Sequence, residues 1–152
     1  MDDEAKSYTE CDCTVYLVDD DEDDRKLFSE ALEEVGRNVQ LNLFSGGEDL
    51  LNELLKKKQL PNIIFLDLYM PRMDGEECLA RIRANEKLDS VCVIMYSTVM
   101  DLERIEELFN AGANRYLKKP SSYPALKKAL DKAIESVRKN PLGGQAVINY
   151  SE

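Results

Sequence analysis

Apolar positions along this chain follow two alternating rhythms. Thr14-Val15-Tyr16-Leu17-Val18, Ile63-Ile64-Phe65-Leu66 and Val91-Cys92-Val93-Ile94-Met95 are short, unbroken apolar or β-branched runs, the pattern of strands covered on both faces. Val39, Leu41 and Leu43 alternate with Gln40 and Asn42, which predicts an edge strand with one wet face. Arg115-Tyr116-Leu117-Lys118 predicts a short fifth strand. Between these runs the spacing becomes helical. Phe28, Ala31, Leu32 and Val35 mark a first helix that starts inside the acidic run Asp19–Asp24 and stops at Gly36. Ser45-Gly46-Gly47-Glu48 reads as a capping box for a second helix, which turns Leu51, Leu54 and Leu55 inward before Pro61. A third helix is expected from Gly75 to Lys87 with Leu79 and Ile82 inward, and a fourth with Leu102, Ile105, Leu108 and Phe109 inward, ending at Gly112. The last follows Ser121-Ser122 and buries Leu126, Leu130, Ala133, Ile134 and Val137.

Strand and helix thus alternate five times, which predicts an α/β fold: a flavodoxin-like, doubly wound parallel sheet with strand order 2-1-3-4-5. The expected organisation is a tail over residues 1–12, one domain over 13–139 and a second tail over 140–152. That second tail carries Pro141-Leu142-Gly143-Gly144 and then Val147, Ile148 and Tyr150, a pattern that fits a docked segment and a free one equally.

Composition narrows the function classes. The 152 residues suit one domain that buries about 68–70% of its unfolded surface. Thirty acidic against twenty basic residues give a formal charge of −10, which opposes direct contact with nucleic acid or an anionic membrane. No run is long and apolar enough to span a bilayer, and the acidic start Met1-Asp2-Asp3-Glu4 lacks the apolar core of a secretory signal, so a cytoplasmic location is expected. With no histidine in the chain, Ser-His-Asp and Cys-His catalysis are excluded. The cysteines Cys11, Cys13, Cys78 and Cys92 include one close pair and are expected as reduced thiols without zinc.

The candidate chemistry lies at strand ends. Ligands of open α/β sheets bind beyond the carboxyl ends of the strands, and strands one and three are neighbours at the switch point. Asp19 and Asp20 end the first strand and Asp67 ends the third, so three carboxylates converge there. Asp21, Glu22, Asp23 and Asp24 need no role beyond favouring the positive end of the first helix. A calcium loop built on Asp19, Asp21, Asp23 and Glu30 fails because Asp24 stands where that loop needs glycine and a strand precedes it. The converging acids make a hard-oxygen site suited to Mg2+. Ser97 and Lys119 end the neighbouring strands and bring a hydroxyl donor and an ammonium to the same crevice; Lys118 points to the opposite face. Singly, each has a local explanation as a cap or a surface charge. Together, a carboxylate nucleophile, a divalent cation, a hydroxyl and a lysine are the parts needed to hold a transferring phosphoryl group.

Over about residues 13–139 the chain resembles the receiver domains of two-component response regulators, through Val18-Asp19-Asp20, Leu66-Asp67 with Met70-Pro71 and Asp74-Gly75, Ser97-Thr98, and Lys119-Pro120. The resemblance implies that Asp67 accepts a phosphoryl group from the histidine of a sensor kinase or phosphotransfer protein. It implies a Mg2+ site at Asp20, Asp67 and the backbone carbonyl of Tyr69, with Asp19 acting through water. Ser97 becomes the switch hydroxyl, Lys119 the phosphate-pairing cation, and Tyr116 an aromatic switch that turns inward on phosphorylation. A cis Lys119–Pro120 bond is implied as well. The implied output surface, for a protein target or self-association, is the fourth helix, fifth strand and fifth helix.

Tyr69 and Val99, two positions after Asp67 and Ser97, are neither acids nor amides, so they offer nothing to orient attacking water, and slow autodephosphorylation is expected. Tyr69 also weighs against a phosphatase of the haloacid-dehalogenase type, which needs a general acid at that position. The expectation is therefore a signalling domain that assists its own phosphorylation and dephosphorylation and is not a turnover enzyme. A receiver-like scaffold that works without phosphorylation is the third reading. No output domain is expected after the last helix, so the output falls to another protein, to self-association or to onward relay.

Overall fold

A computed structural model describes residues 13–56, 59–141 and 143–150. The apolar runs form β1 (Cys13–Val18), β2 (Val39–Phe44), β3 (Ile63–Asp67), β4 (Cys92–Ser97) and β5 (Arg115–Lys118). Interleaved with them are α1 (Glu22–Val35), α2 (Gly47–Lys56), α3 (Gly75–Arg83), α4 (Leu102–Asn110) and α5 (Tyr123–Lys139). A sixth strand, β6 (Ala146–Val147), follows α5. The order across the sheet is β2-β1-β3-β4-β5-β6, with every neighbouring pair parallel. The flavodoxin-like order holds, with one strand added at the far edge.

Because side chains alternate across a strand, each central strand feeds two cores. Val15, Leu17, Phe65 and Ile94 face α1 and α5, joined by Phe28, Leu130 and Ile134. Tyr16, Val18, Leu66 and Met95 face the other way, joined by Leu54, Leu79, Ile82 and Leu108. Both faces of β1, β3 and β4 are therefore dry, and the only way for a loop to reach water is past the strand ends. The four strand ends with candidate chemistry, those of β1, β3, β4 and β5, point to the same rim.

Several inward positions differ from expectation. On α2 the buried residues are Leu50 and Leu54, while Leu55 is 75% exposed, since it lies one step of about 100° past Leu54 and over the rim of the contact. Leu102 is also 75% exposed: it begins α4, and a helix antiparallel to its strand overhangs the sheet in its first turn. Leu43 faces solvent on the β2 edge, whereas Phe44 packs inward. The third helix stops at Arg83, four residues early, and a 3-10 turn, Glu86–Leu88, capped by Asn85, takes its place. Arg83 explains the stop. Its guanidinium donates to the carbonyls of Gly112, Leu88 and Val91 and to Asn114 Oδ1, tying three loops to one side chain.

The Lys119–Pro120 bond is trans, and no cis bond occurs among the described residues. Trans is the intrinsically favoured isomer by about 0.5–1 kcal/mol. Here it is compatible with a 2.7 Å bond from the Lys119 amide to the Ser97 carbonyl, so nothing at this loop overrides that preference.

Candidate functional site

The rim is assembled by caps and close backbone contacts. Asp21 caps α1, its side chain accepting from the Asp24 amide, and Gly36 ends that helix with φ of 82°. Asp74 caps α3 by accepting from the Glu77 amide. Gly75 follows because the backbone of β3 passes directly over it: a Cβ there would stand 2.3 Å from the Asp67 carbonyl oxygen and 2.7 Å from Leu68 Cα. The Gly75 amide donates to the Leu68 carbonyl, fixing the loop that aims Asp67. The sequence marks this glycine as a turn; the structure shows it as a close approach.

Asp19, Asp20 and Asp67 each place a carboxylate oxygen within 4.8 Å of the others. Asp19 is fully buried and Asp67 nearly so, whereas Asp20 faces solvent. Three anionic oxygens at that spacing, one side open, form a donor set for a hard divalent cation. With Tyr69, Ser97, Thr98, Lys119, Asp21 and Asp24 they line one hollow of about 350 Å3. Of the residues expected from the sequence, Asp19, Asp20, Asp67, Tyr69, Ser97 and Lys119 are therefore brought together, while Tyr116 does not line the hollow. The backbone N–H of Tyr69 bonds to the Asp67 carboxylate, while its ring is 55% exposed.

Lys119 is shared three ways. Its ammonium donates to Asp19 Oδ2 at 2.9 Å and to Asp24 Oδ2 at 3.1 Å, and stands 3.6 Å from Asp67 Oδ2. It also lies 5.1 Å from the centre of the Tyr96 ring. Burial opposes its charge, yet the bond it donates to Asp19 and the surrounding acids raise its pKa above the ordinary 10.5. Lys118, exposed, plays no part. Asp24 is a site residue that the sequence assigns only to the helix dipole. No sequence signal separates an acid that favours a helix start from one that also meets a lysine from 95 positions away.

Burial lifts the Asp67 carboxyl from 3.8 to about 7; Lys119 pulls the value down and Asp19 pushes it up. A carboxyl raised on folding binds more protons in the folded than in the unfolded chain between those two values. Metal-free stability should therefore fall as pH rises from about 4 to about 7. Asp67→Asn removes that penalty. In urea unfolding with a chelator present, the variant should exceed the parent by on the order of 2–4 kcal/mol at pH 8, the gap closing toward pH 4.

Ser97 is buried, and its Oγ accepts from the Val99 amide at 3.2 Å, leaving the hydroxyl proton to donate. Burial raises the Tyr116 pKa, and the neighbouring Ser97 hydroxyl pulls it back down. Tyr116 is itself 1% exposed, with its phenol donating to the Val99 carbonyl. The Tyr116 ring therefore lies inward in this structure, the position expected of the switch aromatic in its turned-in state. Cys13 is buried, Cys78 and Cys92 are buried free thiols, and burial pushes the Cys78 thiol up to about 12, so it stays protonated and unreactive. Cys11 lies outside the described residues.

No helix among the described residues is long and apolar enough to cross a membrane. Comparison with known proteins agrees with this site. The chain is 32% identical over 121 residues to the chemotaxis protein CheY-3 of Vibrio cholerae, covering 80% of this chain and 91% of that protein. It is 27% identical over 125 residues to the probable methanogenesis regulatory protein FilR2 of Methanothrix harundinacea, covering 80% and 81%. Among solved structures, the phosphorylated cyanobacterial phytochrome response regulator RcpA superposes with a TM-score of 0.73 at 26% identity, over 84% of this chain and 94% of that one. The Mn2+-bound form of the response regulator Rcp1 gives 0.69 at 25% identity, over 86% and 94%. The model of the response regulator receiver domain matches residues 15–131, which span β1 to the middle of α5 and contain every acid, hydroxyl and lysine of the hollow. The chain belongs to the response regulator receiver domain family.

Proposed function

We propose that Asp67 accepts a phosphoryl group from the phosphohistidine of a sensor kinase or a phosphotransfer protein, and that the transfer depends on Mg2+. The observation that carries this reading is the placement of Asp67 between an acid cluster within 4.8 Å and the Lys119 ammonium at 3.6 Å. Asp20, Asp67 and the Tyr69 carbonyl would hold the ion, with Asp19 acting through water; Asp19 has both oxygens engaged, by the Asp21 amide and by Lys119. Mg2+ supplies positive charge that keeps Asp67 ionised and gathers phosphoryl oxygens.

The chain's own groups do the rest. An Asp67 oxygen attacks phosphorus, an O–P bond forms as the donor's N–P bond breaks, and the imidazole leaves with the electron pair. Lys119, held at the rim by Asp19 and Asp24, pairs with one phosphoryl oxygen. Ser97 donates its hydroxyl proton to another. That hydroxyl adjoins the inward Tyr116 ring, so drawing it toward Asp67 leaves room that favours the inward ring and biases the face made by α4, β5 and α5. This face is the proposed surface for a protein target or for self-association.

Incubating the protein with acetyl phosphate and Mg2+ and following intact mass tests the reading. One stable addition on the parent and none on Asp67→Ala is the expected result. Release of inorganic phosphate over many turnovers would indicate a phosphatase, and absence of any reaction a scaffold; either outcome rejects the proposal. The domain is thus read as an acceptor that assists its own phosphorylation and dephosphorylation without turnover. With Tyr69 in place of an acid beside the nucleophile, the added phosphoryl group should persist; a half-life of seconds would count against that part.

A further inference from the structure

The segment after α5 forms part of the sheet. From Gln145 to Tyr150 it runs along the outer edge of β5. Gln145 Nε2 donates to the Phe109 carbonyl at 2.7 Å and the Ala113 carbonyl at 3.3 Å. The amides of Ala146 and Ile148 donate to the carbonyls of Asn114 and Tyr116, at 3.3 and 2.8 Å. Tyr150 then donates its phenol to the Lys118 carbonyl at 2.7 Å. The strap thus covers the edge from the end of α4 to the residue before Lys119. Ile148 is 8% exposed and joins the α5 core, while Val147 packs against the core that contains Tyr116.

The turn that delivers it is specific. The Gly143 amide donates to the Asn140 carbonyl, which also accepts from buried Arg115. A Cβ at Gly143 would stand about 2 Å from the Asn140 side chain, and Gly144 has φ of 49°. This short turn connects α5 to β6 by the same parallel crossover as every earlier pair, so the strand that fills the edge comes from the same chain.

Register gives the strap a consequence. Tyr116 and Val147 are paired across β5 and β6, so their side chains share one face. A Tyr116 ring turned out toward the sheet edge would enter the space that Val147 fills. We propose that the C-terminal segment Gln145–Tyr150 is a displaceable self-ligand of the β5 edge, which holds Tyr116 inward and must yield before a partner can use that edge. Its hold is short, one buried side chain at Ile148, a partly buried Val147, a two-residue ladder and polar bonds at the solvent boundary, the kind of element that opens locally without global unfolding. Where the phosphoacceptor reading holds, the coupling is reciprocal: whatever favours the inward ring favours the docked strap.

Amide exchange read by NMR on the full chain, without a phosphodonor, tests the strap itself. The Ile148 amide should exchange at least about 10-fold slower than an unstructured amide, equally at low and high protein concentration. An unprotected Ile148 overturns the proposal, and protection that fades on dilution assigns the strap to a second copy and overturns it too. In a chain truncated after Pro141 that keeps its Ile94 amide protected, the Tyr116 ring should become accessible to a photoexcited dye, as read by photo-CIDNP; a ring silent in both chains overturns the clamp. Beryllofluoride with Mg2+ should slow Ile148 exchange further, by about 3-fold or more. Unchanged exchange in a sample whose Asp67 takes up phosphoryl label rejects the coupling alone, whereas failure to take up label rejects the phosphoacceptor reading and leaves the strap standing.

Discussion

Gly75→Ala should destabilise the domain by about 2–4 kcal/mol, more than overpacking of a side-chain cavity usually costs. The added methyl group meets main chain on two sides: the Asp67 carbonyl oxygen at 2.3 Å and Leu68 Cα at 2.7 Å. A flexible side chain could swing away, but here either β3 must shift at its last residue or α3 must lift at its first. Both movements strain the Gly75 amide bond to Leu68 and the Asp74 cap. For a domain of this size each kcal/mol lowers the unfolding midpoint by about 2–4 °C, so a drop of roughly 5–15 °C is expected in a thermal melt. Gly46→Ala is the matched control. A Cβ at Gly46 meets nothing within 4 Å, and its effect should stay within about 0.5 kcal/mol. Equal melts for the two variants would show that the rim tolerates displacement of Asp67.

The contrast between these glycines bears on what the sequence reveals. Asp67, Asp19, Asp20, Ser97 and Lys119 were legible because each lies at or within two residues of the end of a strand-forming run, and a doubly wound sheet brings such ends to one rim. Period and position sufficed. Asp24 was not legible: it lies in the first turn of α1, where an acid is favoured locally, and only the path of the β5–α5 loop brings Lys119 to it. Tyr96, beneath the Lys119 ammonium, reads simply as one more core residue of β4.

The misplaced leucines share a different cause. Leu43, Leu55 and Leu102 satisfy the period of their elements but lie at an edge, a flank and an overhang, where the fold runs out of neighbours to cover them. Amphipathic spacing reports which face is apolar and leaves open where that face ends. The strap is the opposite case. Ala146-Val147 is too short for any period, and its docking depends on the Gly143–Asn140 contact and on carbonyls of β5 that no local pattern exposes. Tyr116 belongs with it, since the orientation of its ring is decided by Val99 on one side and Val147 on the other.

Lys119→Met should cost about 3–5 kcal/mol, because it leaves a buried carboxylate without its cation. Asp19 carries most of that loss: it is fully buried and bonded to the ammonium at 2.9 Å, whereas the Asp24 side chain is 41% exposed and screened by water. Methionine keeps most of the apolar stem of lysine and removes the ammonium, with its pairing to the acids and its place over the Tyr96 ring, so the change reads out charge. Pairing the substitution with Asp19→Asn should recover most of the stability, which separates a lost ion pair from a lost contact. The pH dependence has a defined sign. The Lys119 pKa is raised above 10.5, so its own contribution is complete throughout the neutral range and is lost only as pH climbs through that higher value. Asp67, at about 7, discharges as pH falls, and with it part of the repulsion that the lysine offsets. The penalty for Lys119→Met, measured by urea unfolding with a chelator present, should therefore be largest near pH 8 and shrink toward pH 4. A penalty that is flat across that range, or one that Asp19→Asn deepens, would place the ammonium outside the electrostatics of the acid cluster and remove the cation from the proposed transfer.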